Sequence, residues 1–464
     1  KKQVTEAIQL KSGEYGRNIV EVGRDMALDT IAAEPLFKNE KISDLLNWHL
    51  SPNRFFARLG GYKKGSAWTS VVADSFNRGT ETMYEIQRDF YNHFRGYSEN
   101  KLFDTLTSRK KLVDIGLKDK QGKKIEVTRG MMLSIYMHLL NEDNRRGIMY
   151  GGLTIPDLSK YYNGKMGDAY GRGSTMTIGT ASELYSIAKR LREDNLSDAQ
   201  REALEAEFDA AIASGEARLD RMMSAIEKQL TGFEKNLIKA AQAWNDGKSQ
   251  QYINDVTMDL YGIKKANVKN YWRIHRDTSF IQTDFDSISK NVNLENWGSL
   301  KARVPSQAPV LLTDFAFEMD SNMQQMSRYV GFARAQRDFK KLYNVRLPGM
   351  DGSVKKAVAS KFGTGKKAMG VTGEQYIENF IGDITGSRSG ETAFWGAVRR
   401  NIPRAALALN IRVAASQLSA IPTAAAEVGW GSMAKGAVKG FKYLSKSQLE
   451  RISQENVWFW QRYR

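Results

Sequence analysis

Proline is scarce in this chain, and that scarcity restricts the fold more than any other feature of the sequence. Proline accounts for 8 of the 464 residues, and none lies between Pro156 and Pro305. Proline removes a backbone donor and clashes with the preceding helical turn, so long stretches without it favour α-helices. We therefore predict a mainly α-helical chain.

Apolar side chains recur at helical intervals in the proline-free region. Ser197 and Gln200 have the spacing of a capping box, in which each side chain satisfies a backbone N–H at a helix start. Apolar residues then follow mostly three or four positions apart on both sides of Gly215, which predicts either a packed helix pair or one long interrupted helix. These residues are Leu204, Phe208, Ile212, Leu219, Met222, Ile226, Leu230, Phe233, Leu237 and Trp244.

Similar spacing occurs from Met131 to Leu139 and from Phe315 to Phe339, whereas strand-like alternation is rare. One short example, Lys124 to Val127, follows a Gln121-Gly122 turn and predicts a small hairpin. The expected fold class is all-α: a multi-helix bundle with long amphipathic helices and at most a small β-hairpin.

Length and composition exclude several classes of protein and site. A chain of 464 residues exceeds the roughly 250–300 residues of one ordinary core. The absence of cysteine excludes a disulfide framework, a thiolate zinc site, an iron–sulfur cluster and a cysteine nucleophile. His49, His93, His138 and His275 lie far apart, so we expect no metal site, and we expect His138 to be either a satisfied core histidine or a surface histidine.

Charge is unevenly distributed around a formal net charge of +17. Residues 192–259 contain eight basic and fourteen acidic side chains, whereas residues 355–464 contain seventeen and seven. We predict an N-terminal helical region (1–120), an acidic helical packing domain (121–266) and a basic helical region (267–464) that ends in a helix of small residues. A basic end and an acidic middle favour either head-to-tail self-association or contact of the basic end with nucleic acid or another anionic surface, although solvated helix faces of opposite sign have the same composition.

The basic segment from Lys361 to Lys367 has some features of a phosphate loop. It is not a nucleotide-hydrolysing loop, because Ser360 occupies the first glycine position and Lys367 replaces the final hydroxyl residue. Glycine N–H groups and ammonium charges can still hold a phosphate, which leaves a plain loop and a backbone-phosphate contact as alternatives. The predicted DNA contacts are Lys355, Lys356, Lys361, Lys366, Lys367, Arg399, Arg400 and Arg404.

Two further segments have alternative interpretations. Tyr161, Tyr162, Lys165 and Tyr170 precede a Gly-Arg-Gly-Ser run, which is typical of single-strand binders but also of a surface loop packed by its own tyrosines. The segment from Ala405 to Ala426 is long enough to cross a bilayer, yet it contains an arginine. We favour a tightly packed helix or subunit contact there, with conditional membrane contact as the alternative.

Catalytic signatures are missing from the sequence. We find no nucleophile elbow, no paired-histidine zinc motif and no glycosidase carboxylate pair. We therefore predict no enzymatic activity, no catalytic residue and no cofactor.

Several stretches together resemble the long helical regions of tailed-bacteriophage internal virion (ejection) proteins and related large polyvalent phage proteins. They lie at residues 128–137, 141–146, 271–276, 301–314 and 410–422. The resemblance implies a segment of a giant virion protein, packaged in the capsid interior and delivered with the genome into the host envelope or cytoplasm. It transfers no catalytic residue, because the enzyme modules that such proteins carry have no counterpart here. The start at Lys1 also leads us to expect a piece of a longer polypeptide.

These observations lead to one main hypothesis and two alternatives. The main hypothesis is a non-enzymatic helical scaffold that contacts the DNA backbone without sequence preference, contacts other virion proteins and forms a homo-oligomer. The first alternative is a nucleic-acid-handling, non-catalytic region of a larger virion enzyme, such as a virion RNA polymerase. The second is a helical oligomer that forms a conduit or a membrane-associated tube.

Overall fold

The computed structural model describes residues 9–12, 17–33, 52–98, 112–157, 174–177, 179–193, 196–276, 308–350, 352–363 and 372–385. These residues are mainly helical and form two small sheets, which confirms the mainly α multi-helix fold. The α-helices are α1 (Ile19–Ala32), α2 (Pro52–Leu59), α3 (Asp74–Ser98), α4 (Arg129–Leu140), α5 (Glu142–Gly151), α6 (Ala181–Leu191), α7 (Asp198–Gln229), α8 (Gly232–Ala243), α9 (Gln250–Tyr261), α10 (Phe315–Asn344), α11 (Val354–Phe362) and α12 (Gly373–Thr385). Two π-helical segments, Trp68–Ala73 and Trp244–Ser249, run directly into α3 and α9.

The predicted hairpin is confirmed. Strands β1 (Leu112–Lys118) and β2 (Lys124–Thr128) pair antiparallel, and Gly122 in the turn adopts a φ of +80°. A second sheet, which the sequence pattern does not indicate, joins β3 (Leu153–Ile155) antiparallel to β4 (Thr175–Met176) and parallel to β5 (Val310–Leu311). Its strands have two or three residues each, too few to produce a visible alternation.

The chain divides into two compact units. Of the described residues, unit 1 contains those up to Arg88 and from Arg328 onward, and unit 2 contains those from Asp89 to Ser327. The boundaries predicted at residues 120 and 266 stay a prediction.

Unit 1 has an aromatic core. Phe56 stacks on Trp68 with ring centroids 5.9 Å apart, and its ring edge meets Phe380 at 5.3 Å. The Trp68 indole N–H donates to the hydroxyl of Thr30 at 2.8 Å, so the buried ring leaves no unsatisfied donor. The buried aromatic area and the satisfied Trp68 donor both stabilise this unit.

The longest helix of unit 2 is α7, which is 32 residues long and continues past Gly215 without interruption. Its predicted capping box is confirmed, since Ser197 and Gln200 satisfy each other's backbone N–H groups. A Cβ at Gly215 would lie 2.9 Å from Met149 and 3.1 Å from Thr180. The glycine is therefore a site of close packing, and the helix ends later, at Gln229.

Candidate nucleic-acid interface

Helix α11 carries those predicted nucleic-acid contacts that lie within the described residues. The Ser353 hydroxyl caps its first turn by accepting a hydrogen bond from the Lys356 N–H at 3.4 Å. The apolar positions of the helix are buried, and they are Val354, Ala357, Val358 and Phe362. Lys356 and Lys361 lie on the remaining surface and are exposed to solvent. This helix thus presents two cations at positions that a phosphate backbone can reach.

Lys355, in the first turn of α11, forms an ion pair. Its Nζ lies 2.7 Å from Oε1 of Glu374 on α12. That hydrogen bond raises the pKa of Lys355, against a small opposing effect of burial. A cation in the first turn of a helix is electrostatically unfavourable, and Glu374 offsets this cost. Lys355 is therefore already paired with a carboxylate, and a phosphate would have to compete with Glu374 for it.

Other predicted contacts and loops lie outside the described residues. They are Lys366, Lys367, Arg399, Arg400, Arg404, Tyr161, Tyr162, Lys165, Tyr170 and the segment 405–426. Their roles in DNA, single-strand or membrane contact stay predictions.

Residues from four of the stretches compared above with phage internal proteins, 128–137, 141–146, 271–276 and the described part (308–314) of the fourth, contact one another in unit 2. The Trp272 indole N–H donates to the Ser134 hydroxyl at 3.2 Å, and the Asn144 amide donates to the Trp272 carbonyl at 2.8 Å. The Leu311 N–H donates to the His275 carbonyl at 2.9 Å. The described residues of these stretches therefore pack against one another in unit 2.

Side-chain amides hold the irregular stretch at residues 268–271, which includes a turn at Lys269 and Asn270. Asn141, Asn245 and Gln250 donate to backbone carbonyls of residues 268–271 at 2.7–3.0 Å. The Asp246 carboxylate, in the second π-helical segment, accepts the N–H groups of Asn270 and Tyr271 at 2.8 and 3.2 Å. Partly buried backbone groups outside regular secondary structure need hydrogen-bond partners, and these side chains supply them where no strand does. The sequence does not predict this role, because Asn141 lies about a hundred positions before Asn245 and Gln250 and no local pattern connects the three.

Two buried carboxylates, those of Asp314 and Glu318, follow β5 in the chain. The Glu318 Oε2 atom accepts a hydrogen bond from the Thr313 hydroxyl at 3.0 Å. The same atom lies 3.0 Å from Nε2 of His275. Because the hydroxyl is hydrogen-bonded to the carboxylate, these contacts do not pair a nucleophile with a histidine base. His138 is buried and within hydrogen-bond distance of Asn144, so of the two predicted alternatives the structure shows a core histidine.

Asp314 gives a testable pH dependence. This buried residue caps α10, with its Oδ1 accepting the Ala316 N–H at 2.9 Å, and burial raises the pKa of Asp314 to about 6. The unfolded pKa is about 3.9, so the folded state binds more protons, and stability should fall as pH rises between about 4 and 6. Asp314→Asn keeps the capping acceptor without the charge and should flatten this part of the profile in urea unfolding. An unchanged pH profile would show that another group titrates.

Within the described ranges, no group of three His, Asp or Glu side chains is placed to hold a metal ion. No helix in that part of the chain is both long and apolar enough to cross a membrane. Comparison with protein families, curated proteins and solved structures gives no match.

Proposed function

We propose that this chain is a non-enzymatic helical scaffold segment of a large phage ejection protein, packaged in the virion and delivered with the genome. Its basic region contacts the DNA backbone, and its other partners are virion proteins and further copies of itself. The observation that carries the DNA contact is the pair of exposed lysines, Lys356 and Lys361, on one short helix. They lie near the start of residues 355–464, which carry more than half of the chain's net positive charge.

The helical architecture supports delivery through a narrow tail. A protein that unfolds for passage must refold quickly, which local helical contacts favour and disulfides would hinder. Helices adjacent in sequence pack together here, including α4 with α5 and α6 with α7. The chain also contains no cysteine.

The two exposed lysines give a direct test of the DNA contact. We expect the double variant Lys356→Gln/Lys361→Gln to bind duplex DNA about tenfold more weakly than wild type, with a salt slope lower by about 1–2. Neutralising a phosphate contact removes the release of its counterion, so affinity falls alike on unrelated sequences. Fluorescence anisotropy at several salt concentrations measures both quantities.

The matched control is Lys189→Gln/Lys228→Gln, which removes the same charge from exposed positions on α6 and α7. Equal losses for the two double variants would mean that net charge, not the α11 surface, determines binding. That result would exclude Lys356 and Lys361 as the specific contact.

Packaging has a separate test. Mass spectrometry of purified particles of the phage that encodes the chain should detect its peptides in the virion. Peptides found only in infected-cell lysate, and never in particles, would contradict the proposal.

A further inference from the structure

A cavity of about 830 Å³ lies between the β1–β2 hairpin and helix α7. The hairpin is attached at two points. The Gln229 amide donates to the Asp114 carbonyl at 2.7 Å, and Asp119, near the turn, forms a β-bridge with Thr177. The space between these attachments is therefore built by the fold, and its volume falls within the roughly 300–1,000 Å³ of small-molecule sites.

The inner wall of this cleft is aliphatic. Its buried apolar lining residues are Ile115, Leu117, Ile148, Leu153, Leu219 and Met222. No Phe, Tyr or Trp is among the described lining residues, so the wall lacks the aromatic faces on which nucleic-acid bases stack. An aliphatic wall is suited to an alkyl chain.

Four cations, Lys118, Lys120, Arg218 and Arg221, also line the cleft, against one carboxylate, that of Asp119. The Oδ1 atom of Asp119 accepts the N–H groups of Gln121 and Lys123 at 2.9 and 2.8 Å, so this carboxylate is engaged within the hairpin turn. The lining therefore has an excess of positive charge, although the surrounding sequence is acidic.

Arg218 is the cation best placed to bind an anion. Its side chain is partly buried, and among the described residues no carboxylate lies within ion-pair distance of it. Burial and the neighbouring charge of Arg221 lower the pKa of Arg218, while Glu183 opposes the shift at longer range. A bound anion would offset the unfavourable burial of the Arg218 charge beside Arg221.

We propose that this cleft binds a single-chain anionic amphiphile of the fatty-acid class, with the carboxylate at Arg218 and Arg221 and the alkyl chain against Leu219 and Met222. This site is independent of the proposed DNA contact on α11. We expect tight binding to need both the cations and the apolar wall. Phosphate would contact only the cations, and a neutral alcohol would contact only the wall.

Isothermal titration of the full chain with decanoate tests the proposal, with decanol and inorganic phosphate as the other two ligands. Decanoate should bind at least about tenfold more tightly than either. Equal affinity for decanol would exclude a role for the cations, and equal affinity for phosphate would exclude a role for the apolar wall. Displacement of decanoate by a single-stranded oligonucleotide would instead assign the cleft to nucleic acid and overturn the proposal.

Variants locate the site. Arg218→Met keeps much of the side-chain volume and should weaken decanoate binding about tenfold. Arg201→Met removes an exposed arginine from the same helix outside the cleft and should leave the affinity unchanged. Ala225→Leu should also weaken binding by filling the cavity, with helix content checked by circular dichroism. Equal effects of the two arginine variants, or unchanged binding in both Arg218→Met and Ala225→Leu, would overturn the assignment.

Discussion

Gly331→Ala is expected to destabilise unit 1 by about 3 kcal/mol or more. A Cβ at this position would overlap the Gly79 carbonyl oxygen, and a Cβ at Gly79 would lie 2.5 Å from the Gly331 carbonyl oxygen. Helices α3 and α10 therefore approach each other backbone to backbone at this point in unit 1. The obstructing atoms belong to the main chain, so no side chain can rotate away to admit the methyl group.

Gly96→Ala is the matched control on α3. A Cβ at Gly96 would have no heavy atom of the described residues within 4 Å, so this substitution should gain about 0.5–1 kcal/mol through helix propensity. Thermal and urea unfolding of both variants, followed by circular dichroism, separates close packing from helix propensity. A Gly331→Ala protein as stable as wild type would contradict the backbone contact.

Arg129→Met should cost unit 2 about 3–5 kcal/mol, because it would leave a buried carboxylate without its cation. Arg129 at the start of α4 donates from Nε and Nη2 to the two carboxylate oxygens of Glu234 at 2.6 and 2.5 Å. Its Nη2 also donates to the Gln229 carbonyl at 3.0 Å, so one guanidinium joins α4 to both α7 and α8. The Glu234 side chain is 5% exposed, which makes an unpaired charge there expensive.

The double variant Arg129→Met/Glu234→Gln should recover part of the loss. Glutamine keeps the capping-box geometry with Thr231, and no charge is left buried. Urea unfolding of the two single variants and the double variant gives the coupling energy. Additive losses would mean that the two side chains do not stabilise each other.

The same pair predicts an acid sensitivity in the wild type. Burial alone would raise the pKa of Glu234, but hydrogen bonds from Arg129 and Thr231 outweigh it and lower the pKa. The stabilisation is therefore present above the unfolded pKa of about 4.3 and is lost as pH falls through the lower folded value. Glu234→Gln should remove this contribution from the acid limb of the unfolding profile.

Local sequence signals predicted much of the fold. The capping box at Ser197 and the hairpin that includes Lys124 are encoded within a few residues, and both are present. Gly215 did not act as a break, because the loss of helix propensity, about 1 kcal/mol, is smaller than the gain from packing α7 on Met149 and Thr180. The three-stranded sheet joins residues as distant as Leu153 and Val310, a pairing that no local pattern reveals.

The candidate interface was less predictable, because a count of charges along the chain does not show the environment of each cationic side chain in the folded protein. Lys355 and Lys356 are neighbours in sequence, yet Lys355 is partly buried beside Glu374, whereas Lys356 is exposed to solvent. Arg218 and Arg221 lie in an acidic stretch, but folding brings them to the same cleft as Lys118 and Lys120. Average charge over a segment conceals such local surfaces.

Binding of the full chain to duplex DNA across a range of salt concentrations tests the central claim most directly. The proposal predicts binding at low salt, the same affinity for two unrelated sequences, and a linear fall of log K with log salt, with a slope near −0.9 per neutralised phosphate. Absence of binding at low salt, or an affinity that does not change with salt, would contradict it.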